Sequence, residues 1–422
     1  MSSFLNLLRR NANYRRLWLA QVVSEAGDYF NNVAVFSLAM QTTGSGLVVS
    51  GIMLSRAIPA VLTGPLAGVV LDRFDRRRIM IASDLARCAV AFAFIACLHY
   101  REAWLLYALS SLLMAASPFF TSGRAALLPS ITSGEELRTA NSLTQTTQWA
   151  TLTAGTMLGG LVTARMGYPW AFAINAFSFL YSAAAVGRIR AKNLPETNSD
   201  TRPSLGALQP WRDYKAGLDY MRSVPLVLGI GLLTVGWAMG GGAAQILFAL
   251  FGEQVFQRGA EGIGTIWGFA GVGLLAGGAL AHMAGGRLDF AGYKRAVALS
   301  YLVHGAAYVV FSRSTWYPAA LFWILLSRVG MAVTSVLNNY QLLRTTPDRY
   351  LGRVFATLES LRWFTMMFSM AAAGLASEYF SPRAIGVVAG LLGCLTAIVW
   401  ALADLSGRLP EPPRREPDHR NG

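Results

Sequence analysis

From about residue 17 onward the chain alternates long apolar runs with short polar connections. Twelve runs are long enough to cross a bilayer, which takes about 17 to 25 helical residues. They cover roughly 17–40, 46–71, 79–98, 104–127, 141–164, 168–187, 226–250, 262–284, 295–312, 316–343, 354–376 and 384–404. The pattern predicts an all-α membrane protein with twelve transmembrane helices. Its longest polar interruption, 188–225, separates six spans from six. The first part is rich in Pro, Ser, Thr and Asn and reads as a flexible linker. The second places Trp211, Tyr214, Leu218 and Met221 on one face, with Arg212, Lys215, Asp219 and Arg222 mostly elsewhere, as in a short helix lying in the headgroup layer. The expected organisation is a six-helix bundle at 1–188, a cytoplasmic linker at 189–225, a second bundle at 226–405 and a disordered cytoplasmic tail at 406–422.

The two halves carry traces of a repeat. An offset of 215 lays Leu127-Leu128 over Leu342-Leu343, Arg138 over Arg353, Ser142 over Thr357 and Leu143 over Leu358, while an offset of 209 lays Leu66-Ala67-Gly68 over Leu275-Ala276-Gly277. Each match is weak alone. With the six-plus-six layout they favour two pseudo-symmetric bundles, an arrangement of transporters whose substrate site lies between the halves near mid-membrane.

Composition agrees: 54% of the residues are hydrophobic and 14% charged, against about 25% charged in soluble domains. The net charge of +14 raises the question of nucleic acid, which the placement of the charges answers. With both termini inside, cytoplasmic connections and tails hold 27 of the 36 Lys and Arg, and outside connections hold Arg101, Arg165, Arg258, Arg313 and Arg383. This is the positive-inside pattern, and the basic balance points to anionic lipid rather than DNA. The start, with Arg9, Arg10, Arg15 and Arg16, leads into a full span, so no cleavable signal peptide is expected. Cys88, Cys97 and Cys394 all fall within spans, and His99, His282, His304 and His419 have no metal-ligand spacing, so neither metal nor cofactor is expected.

One polar connection is unusual. "GVVLDRFDRRR", Gly68 to Arg78, packs two aspartates and four arginines behind a glycine. It resembles the signature loop between the second and third helices of the major facilitator superfamily, with Gly68, Asp72, Arg73, Arg76 and Arg77 in place and Asp75 where glycine is usual. That departure, with "NANYRRLWLAQVVSEAGD" at 11–28, "SDLAR" at 83–87 and "ALLPSITSGEELRTANSL" at 126–143, is similar to the drug:proton antiporter branch that includes macrolide-efflux and enterobactin-exporter relatives. The resemblance implies the major facilitator fold. It also implies a cytoplasmic gate in which Gly68 lets another backbone approach and Asp72 accepts hydrogen bonds at the start of the eleventh helix, near Gly352-Arg353. Asp84 and Arg87, close to this loop, and Arg124, near the cytoplasmic end of its span, are read as parts of the same gate. At the aligned place in the second half, Ala281 and His282 stand where Asp-Arg would be.

Eight ionisable residues fall within spans: Glu25, Asp28, Arg56, Asp84, Arg87, Arg328, Glu359 and Arg362. An unpaired charge at a helix centre costs about 2.5–3.5 kcal/mol on insertion scales, so partners or a wet cavity are expected. Asp28 and Arg56 lie at levels that allow a pair, fixed or functional. The resemblance places Asp28 and Glu25 on a cavity-lining helix with Arg328 across from them. Competition among proton, arginine and substrate for one carboxylate is then a workable antiport mechanism, with Asp28 as the first candidate for proton coupling and Glu25 and Glu359 behind it. Arg56, Arg328 and Arg362 are the candidate charge partners. In the fifth span "AGTMLGG" resembles the exporters' glycine–proline motif, with Gly155, Gly159 and Gly160 present and Thr156 where proline is usual. The eighth span adds two glycine pairs four residues apart, Gly264 with Gly268 and Gly273 with Gly277, a packing signal in membranes. Phe119, Phe120, Trp149, Trp237, Gln245, Asn338 and Asn339 are candidates to line an apolar, aromatic cavity suited to an amphipathic solute.

The expected function is proton-coupled export of a small amphipathic compound (a drug, a macrolide-like molecule or a siderophore) from a bacterial cytoplasmic membrane. The expected partners are that solute, protons and lipids, around a monomeric chain. A lysophospholipid flippase or an importer on the same fold is the alternative, and a non-transporting sensor or scaffold a remote one. No nucleophile or metal cluster at one depth suggests an enzyme.

Overall fold

The computed structural model describes residues 2–100, 102–189, 210–285 and 287–412. Helices follow one another along the chain: α1 (Ser2–Arg10), α2 (Ala12–Thr43), α3 (Gly46–Arg73), α4 (Arg76–Ala93), α5 (Ala96–Tyr100), α6 (Ala103–Ile131), α7 (Gly134–Met166) and α8 (Tyr168–Gly187). Then come α9 (Pro210–Ser223), α10 (Pro225–Leu250) with a π-turn at Phe251–Val255, α11 (Gly259–Gly285), α12 (Phe290–Arg313), α13 (Tyr317–Thr345), α14 (Asp348–Ala376) and α15 (Pro382–Leu405). Among the described residues nine helices are long and apolar enough to cross a membrane. The remaining three long ones, α2, α7 and α14, are 32, 33 and 29 residues and complete the twelve. α2 and α14 carry membrane-depth charges (Glu25 and Asp28, Glu359 and Arg362) and α7 a run of threonines, which lowers the mean hydropathy of each.

Polar residues at the borders of the apolar runs start the helices by satisfying orphan backbone N–H groups. Asn11 accepts from Tyr14 N, Ser45 from Val48 N, Asp289 from Gly292 N and Ser381 from Ala384 N. Ser133 and Glu136 form a reciprocal capping box. Gly44, at φ 66°, ends α2 in the left-handed region. These caps lie several residues outside the apolar runs, so α2, α4 and α7 begin earlier than hydropathy alone predicts.

The chain divides into two compact units, Met1–Thr201 with Ile246–Gly271, and Arg202–Gln245 with Val272–Gly422. This differs from a division at the linker alone: the end of α10, the π-turn and the first part of α11 join the first unit. Close glycine contacts are the reason. A Cβ on Gly160 would lie 2.6 Å from Ala260 O and 3.0 Å from Gly264 Cα, and Gly268 and Gly271 face Met157 and Thr153 of α7 just as tightly. Gln254 Nε2 also donates to Gly44 O at 2.8 Å.

Within the first unit α2 packs on α7 and α8, α3 on α6, and α4 on α6 and α8. Its core includes Leu7, Tyr14, Leu17, Met80, Phe120 and Leu127. In the second unit α12 packs on α13 and α15, and α9 on α14. Gly273 and Gly277 lie against the backbone of α13. The linker helix is present as predicted, though it docks on protein. Met221 is buried, Tyr220 stacks on Tyr350 at 4.5 Å, and a Cβ on Gly217 would sit 2.8 Å from Arg353 O. The side chain of Trp211, the linker at 190–209 and the tail at 413–422 lie outside the described residues.

Candidate functional site

Charge in the apolar interior of the first unit is gathered at two places. The first centres on Arg87 of α4. Its guanidinium lies 3.9 Å from Asp28 of α2 and bonds directly to Asp84 one turn away. Its planar face is covered by Phe179 of α8 at 4.3 Å and Phe120 of α6 at 4.8 Å. Asp84 and Arg87 are almost fully enclosed, whereas the side chain of Asp28 keeps 23% of its surface open. Several polar atoms here have no hydrogen-bond partner among the described residues: Asp28 Oδ1, Asp84 Oδ2, Arg87 Nε and Arg56 Nη1. Arg56 forms no ion pair with Asp28; its Nη2 lies 4.0 Å from Met114 Sδ. The cluster sums to zero charge, two acids and two bases, yet its bonds are unevenly shared.

The second place is Glu25, one turn before Asp28. Arg124 of α6 lies 3.6 Å from it, Gln21 Nε2 donates to it at 2.9 Å, and Thr151 Oγ1 stands at 3.3 Å. Arg124 is thus the partner of Glu25. Sequence reasoning reads Asp84, Arg87 and Arg124 as parts of the cytoplasmic gate; in the structure Arg124 meets Glu25, and Arg87 stands between Asp84 and Asp28. The physical reason is depth. Arg16 donates to the Arg188 carbonyl and Arg77 to the Ile189 carbonyl, so α2 and α4 share a floor at the end of α8. Asp28 and Arg87 then rise about 18 and 15 Å above it at 1.5 Å per residue. Depth measured from that polar floor, rather than from the edges of the apolar runs, pairs them.

The loop beyond that floor is well organised. Asp75, in the place of the usual glycine, caps α4 by accepting from Arg77 N at 2.8 Å and Arg78 N at 3.1 Å. Arg76 donates to Ala126 O at 2.9 Å and Arg77 to Ile189 O at 2.8 Å, cations on carbonyls near helix C-termini. Asp72 and Arg73 are exposed, and no partner for Asp72 is described within its own unit. Beside Gly68 an added Cβ would meet nothing within 4 Å, so no neighbouring backbone fills that space.

The remaining candidates separate. Gly155 and Gly159 seat α7 on Tyr29 and Phe30 of α2, while Gly160 faces α11. Thr156 folds its hydroxyl back to Leu152 O at 2.7 Å, and α7 continues through it. In the second unit Asn338 is a core residue that accepts from Tyr293 Oη at 2.9 Å. Asn339 is exposed and Gln245 half-buried. Glu359 pairs with Arg362 and accepts from Trp363 Nε1 at 2.8 Å, an exposed pair along one helix. Phe119 is half-buried, and Trp149 is 42% exposed. Trp237 lines a cleft with Arg328, His304 and Tyr308; the sequence offered no signal for the last two beyond their spacing with Tyr301 on one helix face.

Twelve long helices, charge buried at mid-helix and a capped basic loop are the features of a polytopic membrane protein. The Major Facilitator Superfamily model matches residues 17–287, and the chain belongs to that superfamily. It is 28% identical to the uncharacterized MFS-type transporter YfiS of Bacillus subtilis, over 96% of this chain and 95% of that one. It is 27% identical to the enterobactin exporter EntS of Shigella boydii, over 83% and 82%. A solved structure of a bacterial homologue of the iron transporter ferroportin, in its inward-facing state, superposes with a TM-score of 0.69 at 18% identity, over 94% of this chain and 99% of that one. The expected major facilitator fold is therefore the observed one.

Proposed function

We propose that the chain exports a small amphipathic compound in exchange for protons by alternating access, with Asp28 as the coupling carboxylate. The observation that carries the reading is the uneven bonding of Asp28: one oxygen is 3.9 Å from Arg87, the other is unpartnered, and the side chain is part open. Protonation of Asp28 removes one of two acids competing for Arg87 and leaves the Arg87–Asp84 pair in place. The site thus has two charge states that differ by one proton and by one weak bond. Glu25, held by Arg124, Gln21 and Thr151, is the second candidate, and Glu359, on its exposed pair, the third. Exporter-named relatives such as EntS support the direction.

The same reading places the chain in a bacterial cytoplasmic membrane with both termini inside, working as a monomer. It gives Asp72 and Gly68, the loop residues without work in the first unit, the part of a latch that closes one side of the cycle.

Inverted vesicles energised to an acidic lumen test the coupling, with dyes, macrolides and catecholate siderophores added under a pH-sensitive dye. Proton release triggered by one compound and lost in Asp28→Asn supports the proposal. Release retained in that variant moves coupling to Glu25 or Glu359. No release from folded protein refutes proton antiport, and lysophospholipid movement is then measured.

A further inference from the structure

The first unit holds an open cavity that is both roomy and basic. Its volume is about 470 Å³, and it is lined by Arg10 at the end of α1, by Asn11, Ala12, Asn13 and Arg16 at the start of α2, and by Glu136 of α7. One water needs only about 10–15 Å³ of such space. The walls are fixed by bonds already made. Asn11 Nδ2 donates to Ile131 O at 2.7 Å and to Glu136 Oε2 at 3.2 Å, and Ser133 N donates to the same carboxylate oxygen at 3.0 Å. The one acid of the lining is thus engaged. Arg16 Nη1 donates to Arg188 O at 2.7 Å, one of the five N–H donors that a guanidinium carries. Arg15 donates to Leu8 O at 3.0 Å and joins α1 to α2. Arg10 is exposed, and among the described residues nothing is bonded to its guanidinium.

The level of the cavity identifies what reaches it. Residue 17 opens the apolar run of α2, and the Arg16–Arg188 bond ties that border to the end of the α8 run at 187. The Asn11–Ile131 bond lies a few residues beyond the end of the α6 run at 127. Three span borders therefore meet at the cavity, which sets it in the headgroup layer, on the face that the charge bias loads with arginine. α1 has the matching form. Leu7 is buried, while Leu5, 50% exposed, and Arg9 one turn later are open, an apolar and a basic side chain on one interfacial face. Arg9, Arg10, Arg15 and Arg16 crowd this corner, so an anionic head group is drawn in and a cationic choline is opposed.

We propose that Arg10 and Arg16 form a binding site for the phosphodiester of an anionic phospholipid, one with the net charge of phosphatidylglycerol. Guanidinium forks suit phosphate oxygens, and the acyl chains run along the apolar surface that begins at residue 17. The bound lipid joins α1 to the start of α2 from outside the protein. The site is independent of the transport reading and stands or falls without it.

Native mass spectrometry of the full-length protein in uncharged detergent tests it. The probes are dioctanoyl phosphatidylglycerol, dioctanoyl phosphatidylcholine, glycerophosphate and inorganic phosphate. The expected result is one phosphatidylglycerol that binds more tightly than those that follow it and more tightly than phosphatidylcholine. Arg10→Gln and Arg16→Gln should each weaken that first lipid by about fivefold, the worth of one cation near the surface, and the double variant by about twenty-fivefold. Arg78→Gln, whose arginine side chain is 87% exposed in the basic loop, should change it by under about twofold. Arg10→Gln breaks no bond described in the fold, so it keeps the test open if Arg16→Gln does not fold. An equal loss in Arg78→Gln means diffuse surface charge, and displacement by glycerophosphate or phosphate at equal concentration means a free-phosphate site; either overturns the lipid site. Phosphatidylcholine binding as tightly, or unchanged affinity in Arg10→Gln, overturns it as well.

Discussion

Arg87→Met is the sharpest perturbation of the first unit, because Arg87 meets both acids of the buried cluster and the rings of Phe120 and Phe179. The wild-type group holds two acids and two bases, with the Arg87 and Asp84 side chains 3% and 0% exposed. Removing Arg87 leaves Asp84 charged, enclosed and without its bonded partner. Breaking a buried pair in this way costs about 3–5 kcal/mol, most of it the penalty on the charge left behind. Loss of the Phe120 and Phe179 faces belongs to the same figure, since cation–π contacts are worth about 0.5–2 kcal/mol each. Adding Asp84→Asn to Arg87→Met removes the stranded charge, so the double variant should recover about 2–3 kcal/mol, the upper range for coupled neighbours. Asp28→Asn alone should cost under about 1 kcal/mol, because its contact with Arg87 is long and its side chain part open. Equilibrium unfolding in mixed detergent micelles measures these three variants, Asp84→Asn alone and the wild type. If Arg87→Met stays within about 1 kcal/mol of wild type, or the two changes add strictly, Arg87 does not neutralise Asp84 and the account of the cluster is wrong.

Gly160→Leu should lower thermal stability in detergent by about 1–3 kcal/mol or more, since backbone rather than a movable side chain occupies the space; a neutral effect would contradict the α7–α11 contact. Asp75→Ala should cost about 1 kcal/mol of stability through loss of the α4 cap, measured by the same unfolding titration. Asp72→Asn, exposed and without a partner in its unit, should leave stability within about 0.5 kcal/mol while transport turnover falls. Unchanged turnover in reconstituted vesicles would remove the latch.

Much of the fold was legible because a bilayer leaves helices as the economical way to satisfy backbone groups across an apolar run. Run length and the positive-inside bias then fixed number and orientation as expectations. Helix starts were less legible, since caps such as Asn11, Asp75 and Ser133 sit in the polar connections that hydropathy discards. For the site, the sequence marked the buried charges but paired them poorly. Asp28 was matched with Arg56 through the apolar-run edges and with Arg328 through the family resemblance, whereas Arg87 reaches it from a helix that starts earlier than its apolar run. Tyr308 and His304 gave no signal beyond their spacing with Tyr301: an aromatic or a histidine in a span reads as packing until the neighbouring helix supplies an arginine.

The seam inside α11 has a practical consequence for anyone recombining this chain with its relatives. Residues up to Gly271 carry the glycines that fit α7, and those from Val272 carry the glycines that fit α13. A crossover placed in the polar linker puts another chain's α11 against this chain's α7, where any residue but glycine at position 264 would set its Cβ against Thr156 O and 2.9 Å from Gly160 Cα. An exchange in which Ile246–Gly271 travels with the first two hundred residues keeps that contact native.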